Sequence, residues 1–211
     1  MNYKSLTFFE KLATSEDLTP NSVKMAKNSD FSATDTAFIR NYAGYDSSVL
    51  DLGAGTGLIA NKLYPYVKNI VAVEPFSQFT QYIAVHEKII VVNQNITEFI
   101  TSEKFEVICL FGLMQYFDEI EAKTIYEKYI DYLAPKGTMI VKNQFGIHDD
   151  VTVDGYSEEL KKNYFSQYRH VDKEVLLLRD AGFTNVEVID IYPKEYSRWG
   201  NTHFFALVAI K

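Results

Sequence analysis

The spacing of apolar positions changes along the chain near residue 48. From there, short runs rich in β-branched and aromatic residues alternate with amphipathic stretches. The runs are Ser48–Leu52, Asn69–Val73, Ile89–Asn93, Val107–Phe111, Thr138–Lys142, Val186–Tyr192 and Phe204–Ile210, and each is predicted to be a strand. In Glu119–Leu133 the apolar residues Ile125, Tyr129, Tyr132 and Leu133 fall at i, i+4, i+7 and i+8. That spacing predicts a helix, ended by Pro135-Lys136-Gly137. A second helix is predicted over Lys173–Ala181, with Asp172 as its N-cap and Gly182 as the left-handed residue that stops it. Strands alternating with helices predict crossover units on a mostly parallel sheet covered on both faces. The last two runs are separated only by Pro193–Thr202, too short for a crossover helix, so the final strand is expected to be antiparallel. The fold class is α/β with a seven-stranded sheet.

The N-terminal segment reads differently. Phe8, Phe9, Leu12 and Ala13 predict a short amphipathic helix, Val23–Lys27 another, and Ala33–Tyr42 a third. Residues 1–44 are therefore expected to form a helical cap, and 45–211 the core of a single domain spanning 1–211. The cap either covers a sheet edge or closes over a ligand. Both are compatible with a sheet whose ligands bind at the carboxyl ends of its strands.

Composition narrows the function classes. A chain of 211 residues with 47% apolar and 23% charged residues has a core of its own, burying about 70% of its unfolded surface. With 21 Lys and Arg against 28 Asp and Glu, the net charge is −7. This balance argues against a sequence-independent grip on nucleic acid or anionic lipid, which needs a basic face. No run approaches the roughly 20 apolar residues of a membrane span, and the first residues carry no apolar signal core, so the expected setting is cytoplasmic. The single Cys, Cys109, lies in an apolar run and reads as a buried structural thiol. No set of His, Cys and carboxylates has metal-ligand spacing, so no metal is expected. The 15 Tyr and 15 Phe against one Trp fit either core packing or a pocket for a small polar ligand.

The segment with the most chemistry is Val49-Leu50-Asp51-Leu52-Gly53-Ala54-Gly55-Thr56-Gly57-Leu58-Ile59. It is a strand, a glycine-rich turn and a helix start. Gly53 and Gly55 allow a sharp turn and bare backbone against a ligand, and Gly57 allows close packing. Glu74 closes the next strand, where a carboxylate can accept from both ribose hydroxyls. A dinucleotide fingerprint would place its third Gly where Leu58 stands. Asp51 at the loop mouth would also repel a pyrophosphate. The two acids instead suit a nucleoside with a cationic amino-acid tail.

On these residues the sequence resembles the class I S-adenosylmethionine-dependent methyltransferases of small-molecule type, over roughly residues 45–211. Asp51–Gly57 is similar to the family's first motif and Glu74 to its ribose-binding acid. Asn95, in Asn93-Gln94-Asn95-Ile96, stands where the family usually places an Asp beside the adenine amine. Phe105–Gln115 resembles the fourth strand and the loop bordering the methyl donor. Leu133-Ala134-Pro135-Lys136-Gly137-Thr138-Met139-Ile140 resembles the family's LxPGGxL hairpin, with Lys136 replacing a Gly. The resemblance implies a Rossmann-like fold and S-adenosyl-L-methionine as cofactor. It implies a cofactor site of Asp51, Gly53, Ala54, Gly55, Glu74, Pro75, Asn95, Ile96 and Phe111.

Acceptor-side candidates come from the loops above the strands. Gln115 stands where some relatives, including phosphoethanolamine-type enzymes, carry a His near the acceptor nitrogen; it either orients the acceptor or is a polar helix-entry residue. His148 is the best-placed imidazole for a base, or else a solvated loop residue. Tyr116 borders the same loop, and Tyr164, Tyr168 and Arg169 form an aromatic–cationic cluster whose counterpart in those relatives holds substrate phosphate. Arg169 could equally pair with Asp149, Asp150 or Asp172. Lys24 on the cap and Arg198 in the last connection are further cations, each either acceptor-facing or simply on the surface. His203 reads as structural.

The expected partner is a small polar acceptor methylated at N or O, anionic if the cations converge, such as an amino-alcohol phosphate or a sugar. The chain would act as a monomer or homodimer, with no nucleic acid or membrane partner. The alternatives are a protein or nucleic-acid methyltransferase, and a non-catalytic module that only binds the cofactor.

Overall fold

The computed structural model describes residues 1–23, 30–157, 162–197 and 199–211. The helix predicted over Val23–Lys27 lies outside these residues from Lys24 onward, and so does Arg198.

Seven strands form one sheet: β1 (Ser48–Leu52), β2 (Asn69–Val73), β3 (Ile89–Val92), β4 (Phe105–Phe111), β5 (Leu133–Gly146), β8 (Asn185–Asp190) and β9 (Thr202–Ile210). Their order is β3-β2-β1-β4-β5-β9-β8. β1 pairs in parallel with β2 and β4, and β5 continues that direction, while β9 runs antiparallel to both β5 and β8. This is the expected mostly parallel sheet with an antiparallel last strand. The strand order reverses between β1 and β4, which opens a crevice at their carboxyl ends.

The period of two along each strand sorts the core into two layers. Leu50, Leu52, Ile108, Leu110, Met139 and Val141 are buried on one face. They pack under α5 (Glu119–Ile130) and α6 (Val171–Asp180), whose buried residues include Tyr126, Tyr129, Leu177 and Leu178. Val49, Ile70, Ala72, Val107, Cys109 and Ile140 face the other way. There they meet Ile39 of α2 (Ser32–Ile39) and Ala60 and Leu63 of α3 (Ala60–Leu63). Fully burying side chains of Val or Leu size contributes about 1.5–3 kcal/mol each, so the alternation fixes the register of every strand. α4 (Ser77–Thr80) follows β2. Among the described residues, no helix is long and apolar enough to cross a membrane.

Several elements differ from the sequence reading. α5 stops at Ile130, because Tyr132 and Leu133 enter the turn and the start of β5. Its own N-terminus is a capping box: Asp118 accepts from Glu121 N–H, and the Glu121 side chain accepts from Asp118 N–H. β5 begins at Leu133, well before Thr138, and Lys136 takes a left-handed φ of 63° within it. The N-cap of α6 is His170, not Asp172: its Nδ1 accepts from Asp172 N–H, while its Nε2 lies 2.8 Å from Ile147 O. Gly182 does supply the left-handed stop, at φ 104°.

The largest difference lies between β5 and α6. Two strands there, β6 (Val151–Ser157) and β7 (Lys162–Tyr168), pair antiparallel as a separate ribbon. In the sequence this stretch reads as loop, because Thr152, Asp154, Asn163 and Gln167 dilute the apolar alternation. The ribbon is covered by α1 (Tyr3–Ala13). Phe8 meets Tyr164 edge-on at 6.0 Å, the Ser5 hydroxyl donates to Phe165 O at 3.3 Å, and Lys4 pairs with Asp154.

Candidate functional site

A cavity of about 380 Å³ opens at the carboxyl ends of β1, β4 and β5. Three sets of residues form its wall.

The first set is the glycine loop with its two acids. Gly53, Gly55 and Gly57 have φ of 71°, 53° and 75°, a region that costs a side-chain-bearing residue about 1–2 kcal/mol. At Gly57 space is lacking as well: an added Cβ would lie 2.6 Å from Ile83 Cγ1. Gly53 and Ala54 N–H donate to Val73 O at 2.9 and 3.1 Å, locking the loop onto β2. Glu74 is held from both sides, its Oε2 accepting from Gly55 N–H at 3.0 Å and its Oε1 from Phe76 N–H at 3.1 Å. Asn93 fixes the backbone there, donating to Glu74 O at 3.0 Å.

Asp51 is buried beside Glu74, and its Oδ2 has no protein partner among the described residues. Burial, and then the neighbouring Glu74 charge, push Asp51 up to about 7. Glu74 is also raised to about 7 by burial, against the pull of the Phe76 and Gly55 N–H groups. A pair of buried carboxylates held this high is a receptor for positive charge, since a cation would stabilise both ionised forms.

Gly53, Ala54, Gly55, Pro75, Asn95, Ile96 and Phe111 border the same cavity. Asn95 is held by its neighbour Thr97. Its Oδ1 accepts from Thr97 N–H at 3.1 Å and from the Thr97 hydroxyl at 3.0 Å. Both lone pairs are thereby occupied, and the amide NH2 is the group left to meet a base. The cap approaches this end too: the Thr56 hydroxyl donates to Pro20 O at 2.6 Å, and Val23 packs over Gly55.

The second set is aromatic. Gln115 and Tyr116 lie on a 3-10 turn after β4 and are both buried. Gln115 Nε2 donates to Gly112 O at 3.0 Å, while its buried Oε1 has no partner among the described residues. The period of two along β7 turns Tyr164, Ser166 and Tyr168 inward together. Their hydroxyls form a chain: Tyr164 to Ser166 at 2.8 Å, Tyr164 to Tyr168 at 3.2 Å, and Trp199 Nε1 donating to Tyr168 at 3.3 Å. Burial holds both phenols well above their ordinary range, so they are protonated donors at neutral pH. Phe9 of α1 closes this side, edge-on to Tyr116 at 5.0 Å. Tyr164 and Tyr168 therefore reach the cavity from a strand, not from the loop the sequence suggested.

Two acceptor-side candidates, Arg169 and His148, lie away from the cavity. Arg169 is buried and its guanidinium is engaged on every side. Nε and Nη2 donate to Glu174 at 2.5 and 3.0 Å, Nη1 to Phe117 O at 2.5 Å and Nη2 to Met114 O at 3.1 Å. Its partner is Glu174, none of the Asp residues considered, and it does not border the cavity. His148 is exposed, with its N–H donating to Asn201 Oδ1 at 2.9 Å, and it does not border the cavity either. Lys24 lies outside the described residues. His203 is buried, between the Asp190 carboxylate at 2.7 Å and the Ser197 hydroxyl at 3.0 Å. Among the described residues no group of three or more His, Cys, Asp or Glu could hold a metal ion.

The third set was missed by sequence reasoning. Lys142 on β5 donates to Asp35 Oδ2 of α2 at 2.9 Å and to the Tyr192 hydroxyl at 2.8 Å. That hydroxyl donates in turn to Asp35 Oδ1 at 2.5 Å. All three border the cavity, with Gln144 and Phe31 beside them. One signal was available: Lys142 ends an apolar strand at its carboxyl end, the position where this sheet type presents ligand-binding groups.

Residues 27–188 match a family described as a methyltransferase domain. The chain belongs to that family. This methyltransferase also resembles solved structures across nearly its whole length. The 1,6-didemethyltoxoflavin N1-methyltransferase of Burkholderia thailandensis, solved with 1,6-didemethyltoxoflavin and S-adenosylhomocysteine, has a TM-score of 0.73 at 16% identity, covering 98% of this chain and 86% of that one. An S-adenosylmethionine-dependent methyltransferase of Leishmania major has a TM-score of 0.75 at 16% identity, covering 99% and 82%. The N-methyltransferase NodS of Bradyrhizobium japonicum, in complex with S-adenosylhomocysteine, has a TM-score of 0.67 at 14% identity, covering 97% of each chain. At these identities the likeness establishes the Rossmann-like fold. No curated protein matches the chain in sequence.

Proposed function

We propose that this methyltransferase takes its methyl group from S-adenosyl-L-methionine and transfers it to N or O of a small polar acceptor. The observation that carries the reading is the buried pair Asp51 and Glu74 at the mouth of the glycine loop, with Asp51 Oδ2 unpartnered. A pair of carboxylates repels a pyrophosphate and suits a nucleoside with a cationic tail, which stabilises their ionised forms. The Burkholderia and Bradyrhizobium neighbours, both solved with S-adenosylhomocysteine, the demethylated product of that donor, agree with it.

In this reading Glu74 accepts from the ribose hydroxyls with the lone pairs that Gly55 and Phe76 leave open. Asp51 lies toward the amino-acid tail, and the backbone of Gly53, Ala54 and Gly55 lies against the ligand. Pro75, Asn95 and Ile96 border the base, and Phe111 the methyl-bearing end. The donor supplies a methyl group already activated by a sulfonium charge. The protein's task is then collinear positioning, which can lower the barrier by about 7–11 kcal/mol. The unpartnered Gln115 Oε1 accepts from an acceptor N–H or O–H and so orients it. Tyr116, Tyr164 and Tyr168 offer protonated hydroxyls and flat apolar surface to the rest of the acceptor. Arg169 no longer supplies the anion contact that suggested an amino-alcohol phosphate.

The test is a turnover screen with methyl-labelled S-adenosylmethionine against small amines, phenols, heteroaromatic rings, amino-alcohol phosphates and sugars. Label transfer to one class, lost in Gln115→Ala with donor binding retained, is the expected result. Label transfer only to protein or nucleic acid would contradict it.

A further inference from the structure

Lys142 is the one charge in the strand segment Thr138–Lys142, and its side chain is only 11% exposed, with the Asp35 side chain at 8%. An ammonium has three N–H groups. Two of them donate to Asp35 and Tyr192, the ammonium lies over the Phe111 ring at 5.1 Å, and the side chain borders the cavity. Tyr192 donates to the second Asp35 oxygen, so both oxygens of the carboxylate are engaged within the cluster. The three groups form a closed triangle that fixes where the remaining N–H points.

The register locates the cluster relative to the donor end. Asp51 lies opposite Cys109, Cys109 opposite Ile140, and Lys142 is two residues further toward the carboxyl end of β5. Two inter-strand steps and two residues separate the Asp51 and Lys142 backbones by about 12 Å, with Lys142 on the side of β9. The surroundings are flat rings. Phe31 stacks on Tyr192 at 4.1 Å and 21°, Tyr196 stands edge-on to Phe31 at 4.7 Å, and Phe204 leans on Tyr192 at 5.2 Å. All four border the cavity.

We propose that Lys142, clamped by Asp35 and Tyr192, is the receptor for an anionic oxygen on the acceptor, and that the acceptor is a flat ring bearing an acidic hydroxyl or a carboxylate. The ammonium meets the oxygen and the Phe31–Tyr192–Tyr196–Phe204 walls meet the ring. This rests on the reading above that the donor occupies the Asp51–Glu74 end.

The probe is 4-nitrophenol, whose phenolate absorbs in the visible, titrated into protein saturated with S-adenosylhomocysteine at a pH below the phenol's own pKa. Wild-type protein is expected to draw out the phenolate band. Lys142→Met abolishes the band and weakens the probe by about thirtyfold or more, while S-adenosylhomocysteine affinity stays within about twofold. Lys142→Arg keeps the band. No band with the wild-type protein overturns the proposal without needing any variant, and so does a band that survives Lys142→Met. It is also overturned if Lys142→Met weakens S-adenosylhomocysteine but spares 5′-methylthioadenosine, which lacks the amino-acid tail; Lys142 would then serve the donor's carboxylate. Failure of wild-type protein to bind S-adenosylhomocysteine would instead overturn the donor reading, a result read in a separate titration.

Discussion

At the scale of single residues, the pair Asp51 and Glu74 sets a pH dependence. Both carboxylates are raised to about 7 in the folded protein by burial, against about 4 in an unfolded chain. A raised carboxylate binds protons in the folded state that the unfolded state has already lost. Its contribution to stability is therefore complete below pH 4 and is lost as pH rises through 7. Binding of a cationic donor has the opposite sign, because it needs the ionised forms. S-adenosylmethionine affinity is expected to rise between pH 6 and 8 with release of protons, measured as calorimetric heats that depend on the buffer's ionisation enthalpy. Asp51→Asn should flatten that profile. Gly57 carries a different prediction. Its φ of 75° and the 2.6 Å clearance to Ile83 make Gly57→Ala destabilising on two counts. A loss of about 2 kcal/mol or more is expected in urea unfolding.

At the scale of elements, the ribbon β6–β7 and the turn after β4 are tied together by Arg169. Its guanidinium bonds Met114 O and Phe117 O, flanking Gln115 and Tyr116, and pairs with Glu174, which also accepts from Tyr126. Removing one partner of such a buried pair leaves an uncompensated charge. Arg169→Met is expected to cost about 3–5 kcal/mol of stability, whereas Arg169→Met with Glu174→Leu recovers much of it. Retained stability in the single variant would contradict this role. The same elements mark the limit of what was legible in the sequence. The inner parallel strands β1, β2 and β4 were readable because both faces are largely buried and the runs are nearly all apolar. Ser48–Leu52 and Asn69–Val73 keep their predicted bounds. The ribbon was not readable, since one of its faces is solvated and Thr152, Asp154, Asn163 and Gln167 read as loop. Arg169 points to a phosphate role in the sequence through the family resemblance, and its partner Glu174, five residues on in α6, is not among the acids the sequence singles out. Lys142 escaped notice because its partners meet it only in three dimensions: Asp35 and Tyr192 are 107 and 50 residues away.

At the scale of the whole molecule, the strand reversal between β1 and β4 places two kinds of wall around one cavity. One end carries acids and bare glycine backbone. The other carries tyrosine hydroxyls, aromatic rings and one clamped ammonium. The aromatic surplus divides accordingly: Tyr126 and Tyr129 are core beneath α5, while Tyr116, Tyr164, Tyr168 and Tyr192 border the cavity. The net charge of −7 predicts no micromolar binding of mixed DNA or RNA at physiological salt, checked by fluorescence anisotropy. The most direct test of the whole account is calorimetric titration of S-adenosylhomocysteine into wild-type protein and Asp51→Asn. Saturable binding by the wild type, weakened about thirtyfold or more by the substitution, is the predicted result; no binding by the wild type, or equal binding by both, would contradict it.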